Sequence, residues 1–432
     1  MEGWLGQKSL ARFVVEIVEH LDTRAIEVAY SGGGSAPYPP KMMLALLFYC
    51  YATGIFSSRK IERASYEQIP VLYITGGTHP DHDSINRFRQ RFLTQLGPLF
   101  VEILAYASGL GIFKVGEISL DGVKIEANAS KHKAMSWDYA CKLEAQLKEE
   151  VAALMRKAET ESGQSEPDID IPQELQRREA RLEKISEIKA TLQQRAQARY
   201  EQEKAEYDAK LVERAAKEKD RGRKLGGKQP KAPEPGPQAK DQVNFTDAES
   251  RIMPVSGGGF EQAYNAQASV DMKTMLIVGN HVSQQPNDKQ EVEPALAELE
   301  RLPESLGKVE KAALDAGFFS EHNIQCFEAK GIEPHIACGR QTHHPSLEER
   351  FAVPPPLPPD ADALTAMKHR LKTEAGKQFY AKRKSTVEPV FGIIKEVMGF
   401  RRFMLRGFQA VTGEWTLVCI AFNLKRLFTL CG

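Results

Sequence analysis

The sequence predicts an α/β protein, a mixed sheet with flanking helices, preceded by an all-helical N-terminal domain and interrupted by a long charged helical hairpin. Three observations predict it. Apolar residues recur at helical spacing to about residue 110, the pattern switches from Lys114 to the alternation of a half-buried strand, and strand and helix patterns take turns after residue 240. The expected division is a helical domain over 1–112, an α/β domain over 113–134 and 241–432, and an insertion over 135–240.

A chain of 432 residues, 42% of them hydrophobic, can bury a sizeable core. Its 58 Lys and Arg cancel 58 Asp and Glu, so any binding to a polyanion must come from local clusters. The longest apolar run, Met42 to Ala52 and on to Phe56, falls short of the roughly 20 residues of a membrane helix. The start, MEGWLGQKSL, has no basic-then-apolar signal pattern, so a cytoplasmic protein with no membrane partner is expected. Cys50, Cys141, Cys326, Cys338, Cys419 and Cys431 form no CxxC pair, which argues against a disulfide framework and a Cys-ligated zinc site and for ordinary buried thiols. His335, Cys338, His343 and His344 are close in sequence but fit no standard zinc spacing.

In chain order, Ser9–Leu21 and Pro40–Phe56 have helical spacing. Between them SGGGSAPYPP reads as a flexible connector, because no Gly-Lys-Ser/Thr follows Gly32–Gly34. In PDHDSINRFRQRFL, Pro80–Ser84 forms a cap, and Ile85, Phe88 and Phe92 form an apolar face opposite Arg87, Arg89 and Arg91. This suits either a helix-turn-helix-like DNA reader, with Arg87 and Arg89 as candidate contacts, or the solvated basic face of a bundle helix.

Glu117–Gly122 alternates as a strand and ends in Asp121-Gly122. Asp-Gly is a hairpin signal, so Asp121 reads as a turn residue or, with Lys124, Lys131, His132 and Lys133 following, as an acid among cations. Apolar positions 140, 143, 147, 151 and 154, then 175, 182, 185, 188, 192, 200, 207 and 211, form the seam of an antiparallel helical hairpin. Its 19 basic and 19 acidic residues between Cys141 and Leu225 suit either a contact with DNA or a second subunit, or a spacer.

After a Pro/Gly/Lys linker at 226–240 come strands at Gln242–Met253, Phe260–Val270 and Met275–Val282 and a helix near Asp288–Leu302. A strand at Lys311–Leu314 opens onto Asp315, followed by a helix at Glu321–Ala329, a strand at Glu333–Cys338 and a stiff proline connector at 352–360.

Between Lys377 and Arg406, eight Lys and Arg, among them Lys384, Lys395, Arg401 and Arg402, face two acids, Glu388 and Glu396. That is where a polyanion would bind. Ser385 with Glu388 also fits a capping box, and Pro389 disfavours helical angles at Glu388. Asp121, Asp315 and Glu388 offer hard oxygen ligands of the kind that hold Mg²⁺ or Mn²⁺. Two such ions would suit an in-line phosphodiester displacement.

The stretches ISLDGVKIEANASKHK, SRIMPVSGGGFEQAYNAQASVD, KAALDAGFFS, YAKRKSTVEPVFGIIKEVMGFRRF and EWTLVCIAFNLKRL, in this order, resemble the DDE transposases of bacterial insertion sequences with a ribonuclease H-like core. The resemblance implies that Asp121, Asp315 and Glu388 are the metal-binding catalytic triad. It implies that Tyr380, Arg383, Glu388 and Lys395 are the family's Tyr-Arg-Glu-Lys signature, whose basic members contact DNA phosphates, and that a last helix with Trp415, Asn423 and Arg426 packs beside the catalytic helix. Arg383 stands one residue further from Glu388 than in the signature, and Phe318 stands where tyrosine is common. The function implied is metal-dependent cleavage and strand transfer at terminal inverted repeats. The partners implied are double-stranded repeat and target DNA and a second copy of the chain, a homodimer on the bacterial nucleoid. A hydrolytic nuclease and a catalytically silent DNA-binding protein are the alternatives.

Overall fold

The computed structural model describes residues 3, 5–29, 38–160, 171–223, 226, 229–255, 258–339, 354–358 and 360–432. The Gly32–Gly34 connector, Gly163 and Pro167 of the hairpin break, His343, His344 and part of the 352–360 connector lie outside these.

The N-terminal region is helical: α1 (Leu10–His20), α2 (Arg24–Val28), α3 (Pro40–Ala52), α4 (Ser58–Glu67), α5 (Ile69–Ile74), α6 (His82–Phe92) and α7 (Leu96–Gly109). Every residue of α3 from Met43 to Ala52 is buried, so its unbroken apolar run reflects enclosure in protein on all sides. No described helix is long and apolar enough to cross a membrane.

The strands are β1 (Val115–Glu126), β2 (Ala134–Ser136), β3 (Gln242–Asn244), β4 (Arg251–Pro254), β5 (Phe260–Asp271), β6 (Ile277–Ser283), β7 (Gly307–Leu314) and β8 (Glu333–Ile336). Six form one mixed sheet in the order β4-β5-β1-β7-β8, with β6 also on β5. β1 runs antiparallel to β5 and parallel to β7, and β7 parallel to β8. With its flanking helices this α/β arrangement is consistent with a ribonuclease H-like fold.

Two strand expectations are corrected. β1 does not turn at Asp121-Gly122 but continues to Glu126. Gly122 pairs with Gln267, and a Cβ on it would lie 2.0 Å from Gln267 Nε2, so the glycine makes room for a side chain of the next strand. The segment Gln242–Met253 is two strands, β3 paired with β2 and β4 in the large sheet.

The later helices are α8 (Trp137–Thr160), α9 (Ile171–Arg221), α10 (Val292–Glu300), α11 (Glu321–Ala329), α12 (Ala363–Lys372), α13 (Glu374–Ala381), α14 (Val387–Gly392) and α15 (Phe408–Cys431). Trp415 Nε1 on α15 donates to the Gln267 carbonyl at 2.9 Å, and the Asn423 amide satisfies both N–H and C=O of Ile277, each at 2.8 Å. The Trp415 ring lies 6.5 Å from that of Phe391 on α14, so the last helix packs beside the helix of Glu388.

The chain forms two compact units, residues 1–129 with 249–432, and residues 130–248. In the first, one apolar core runs from Ala11 to Leu427, taking in the N-terminal helices and the sheet. In the second, Ala140, Leu143 and Leu147 of α8 cluster with Ile185, Ile188 and Leu192 of α9. Glu144 pairs with Lys189 and Glu150 with Arg178, so the two helices are antiparallel. α9 has 51 residues against 24 in α8, and its distal seam residue Leu211 is exposed.

Candidate active site

The parallel register of β1 and β7 puts Leu120 opposite Leu314, so the next residues, Asp121 and Asp315, follow side by side on neighbouring strands. Asp315 directly follows β7, and its Oδ1 accepts from Gly317 N at 2.7 Å, capping the single turn Ala316–Phe318. Phe318 is fully buried, in a core place that needs no hydroxyl.

Glu388 reaches the same place through Arg383. One guanidinium bridges two acids, with Nη2 donating to Asp121 Oδ2 at 2.6 Å and Nη1 to Glu388 Oε1 at 3.1 Å. The turn Lys382–Ser385 is tightened to 3₁₀ geometry, and α14 restarts after Thr386. Pro389 then falls in the first turn of α14, where its missing N–H costs no helical hydrogen bond. The Ser385–Glu388 capping box does not form, because Ser385 Oγ donates instead to the Lys382 carbonyl at 2.9 Å.

The electrostatics follow from crowding. Burial pushes the Asp121 carboxyl from 3.8 up to about 6, Arg383 and the Gly122 N–H oppose this, and Asp315 and Asp288 add to it. The Tyr380 hydroxyl, at the end of α13, is raised chiefly by burial, with the charges of Asp315, Asp121 and Glu388 acting the same way and Arg383 against. Tyr380 therefore belongs to the same cluster.

A fourth acid, Asp288, was not foreseen. Its Oδ1 accepts from Asn265 Nδ2 and Gln267 Nε2, both at 2.7 Å, and from Lys124 Nζ at 3.2 Å. A Cβ on Gly317 would stand 2.9 Å from Asp315 Oδ1 and 3.6 Å from Asp288 Oδ2, so the glycine leaves the space between the two carboxylates open. The available signal was the pair of amides, Asn265 and Gln267, alternating with alanines in a strand that also carries the buried polar residues Gln262, Ser269 and Asp271.

The basic residues divide. Lys395 is half-buried in a π-turn, Ile393–Val397, a form frequent at functional sites, and burial lowers its pKa. Nearby, Arg401 pairs with Glu396, and Arg402 with Glu126, its Nε at 2.9 Å. Lys384 and Arg87 are exposed. Arg89 is a correction. It faces inward, its Nη1 donating to Tyr51 Oη at 2.8 Å and the Phe56 carbonyl at 3.0 Å, and the buried Glu414 lies 3.9 Å away. His335 is also buried, its imidazole pushed down to about 4 chiefly by burial, its ring tilted against Phe379.

The donor set at Asp121, Asp315, Glu388 and Asp288 is carboxylate oxygen throughout, with half the Glu388 side chain open to solvent and the Arg383 cation already seated between two of the acids. Oxygen donors of this kind suit a hard divalent ion, but no three of the four bring their oxygens within 4.8 Å of one another, and Arg383 stands between Asp121 and Glu388.

Residues 2–91 match the family model of a transposase domain, DUF772, and residues 357–428 match that of a transposase DDE domain. The second match spans Tyr380, Arg383, Glu388 and Lys395, and the first covers α6 up to Arg91, with Arg87 and Arg89. No curated protein and no solved structure matches the chain.

Proposed function

We propose, taking the chain as the insertion-sequence DDE transposase that the two matches indicate, that it cleaves DNA at the terminal inverted repeats of its element and joins the freed ends to target DNA. The observation that supports this reading is that Leu120 and Leu314 pair in parallel register just before Asp121 and Asp315, and that Arg383 bonds both Asp121 and Glu388, although the three acids are far apart in sequence.

DDE transposases depend on a divalent metal in general. Asp121, Asp315 and Glu388 would hold two Mg²⁺ or Mn²⁺ ions, which when bound activate a water or 3′-hydroxyl and stabilise the leaving oxygen. The chain's own residues supply position and charge. Arg383, reached by the 3₁₀ turn, orients the Asp121 and Glu388 carboxylates and is the cation nearest to an incoming phosphate. Asp288, held by Asn265, Gln267 and Lys124, buttresses the opposite side. Tyr380 offers a neutral hydroxyl, and Lys384, Lys395, Arg401 and Arg402 extend the positive surface along the DNA backbone.

In this reading the helices of 1–112 bind the element end, with Arg87 exposed on α6, residues 113–134 and 241–432 carry out catalysis, and the insertion at 135–240 contacts DNA or a second subunit. The active assembly is a homodimer on paired ends at the bacterial nucleoid.

The test is incubation with a duplex of the flanking inverted repeat and Mg²⁺, scoring nicked and joined products. Joined product is expected. Nicking without joining points to a hydrolytic nuclease, and binding without nicking to a silent DNA-binding protein.

A further inference from the structure

We propose that Glu293, His322 and Cys326 form a second metal site, for a borderline transition ion such as Zn²⁺, at the surface where α10 meets α11. One donor atom from each lies within 4.8 Å of the other two. His322 Nε2 is 2.9 Å from Glu293 Oε1, Cys326 Sγ is 3.5 Å from His322 Nε2, and Cys326 Sγ is 3.9 Å from Glu293 Oε1. Zn–N, Zn–O and Zn–S bonds at tetrahedral angles put such ligand atoms about 3.3–3.6 Å apart. The Cys326–His322 pair meets that spacing, and the other two pairs reach it by moving a few tenths of an ångström.

The site is built on rigid elements. His322 and Cys326 stand one turn apart on one face of α11, and Glu293 lies in the first turn of α10. Val292 and Leu296 on α10 and Ile324 and Phe327 on α11 are buried in the core. Asn323, between the two ligands of α11, donates to the carbonyls of Lys289 at 2.9 Å and Phe318 at 2.7 Å. The scaffold is thus tied to the loop of Asp288 and the turn of Asp315.

The chemistry differs from that of the acid site. A thiol, an imidazole and a carboxylate select a softer ion than Mg²⁺ and leave a fourth position for water. Burial and the Glu293 charge favour the protonated Cys326 thiol, so metal binding releases that proton. An ion here would staple α10 to α11 next to the turn that carries Asp315. Spacing rules miss the site because its ligands come from two helices, and Cys326 is half-buried at the surface rather than the buried thiol expected from the sequence.

The experiment is Co²⁺ titration of the chelator-treated full chain, read by the thiolate-to-cobalt charge-transfer band. One equivalent with a thiolate band is expected. Cys326→Ser should abolish the band, while His322→Gln and Glu293→Gln weaken Co²⁺ binding about tenfold or more. The combined Asp121→Asn, Asp315→Asn and Glu388→Gln variant should retain the band, since those acids contribute no sulfur. Zn²⁺ should displace the Co²⁺ and raise the melting temperature of the parent chain but not of Cys326→Ser. Absence of the band from the parent chain, or its persistence in Cys326→Ser, overturns the proposal.

Discussion

Arg89 and Arg383 invite comparison, since the sequence suggests a DNA contact for each and the structure gives each a carboxylate and a tyrosine nearby. Their surroundings differ. Arg89 and Glu414 have side chains only 4% and 0% exposed. Glu414 Oε1 accepts from Tyr51 at 2.7 Å and Oε2 from the backbone N–H of Met404 and Leu405, each at 2.9 Å. That network joins α3, α6, α15 and the segment after the π-turn, and nothing in it is open to a ligand. Arg383 is 10% exposed, but its partner Glu388 is 51% exposed. A buried ion pair with all its oxygens bonded inside the protein holds structure together. One whose carboxylate faces solvent can exchange its cation for a metal or yield it to a phosphate.

The comparison is tested most strongly at the acids. Asp121→Asn, Asp315→Asn and Glu388→Gln should each lower strand cleavage about 10³-fold, with binding of the element end little changed in a filter or mobility assay. Cleavage that survives one of these changes removes that residue from the site. Next, Arg89→Leu should lower unfolding stability by about 3–5 kcal/mol in urea titration, because it strands a buried carboxyl and phenol, while the folded fraction binds DNA as before. A loss of DNA affinity at unchanged stability would put Arg89 back on the DNA surface.

A smaller effect concerns pH. The folded chain holds the Asp121 proton up to about pH 6, whereas the unfolded chain releases it near 3.8. The associated stability is therefore complete below about pH 4 and is lost as pH rises through about 6. This amounts to ~1–3 kcal/mol, and Asp121→Asn should flatten that part of the stability profile measured by thermal melts. The smallest effect is at the basic surface, where Lys395→Ala should weaken DNA binding modestly and reduce the slope of log affinity against log salt by about 1. An unchanged slope rules out a phosphate contact there.

Much of the architecture was legible because it rests on local rules. α11 occupies Glu321–Ala329 as its pattern predicted, capped by Ser320 Oγ on Asn323 N. The antiparallel hairpin followed from its apolar seam, and the short apolar strand that leads into Asp315 from its run of small and apolar residues. Arg89 was readable but misassigned. Ile85, Phe88, Arg89 and Phe92 share one helical face by their 3/4 spacing, so position 89 belonged with the apolar stripe from the start.

Other features depend on partners far away in the chain. Asp-Gly is a turn signal only while its neighbours are local, and at Gly122 the Gln267 side chain on β5 decides otherwise. Asp288 looked like the start of a helix until Asn265, Gln267 and Lys124 were brought around it.

By itself, then, the sequence determined most of the succession of helices and strands and the charged insertion, because periodicity, caps and charge clusters act over a few residues. Only the tertiary structure decided that β1 runs on past Asp121, that Arg383 faces the acids while Arg89 is sealed against Glu414, and that Asp288 joins the cluster. Each of these depends on strand register and side-chain burial, which are settled when distant segments pack and the cost of burying a charge selects its partner.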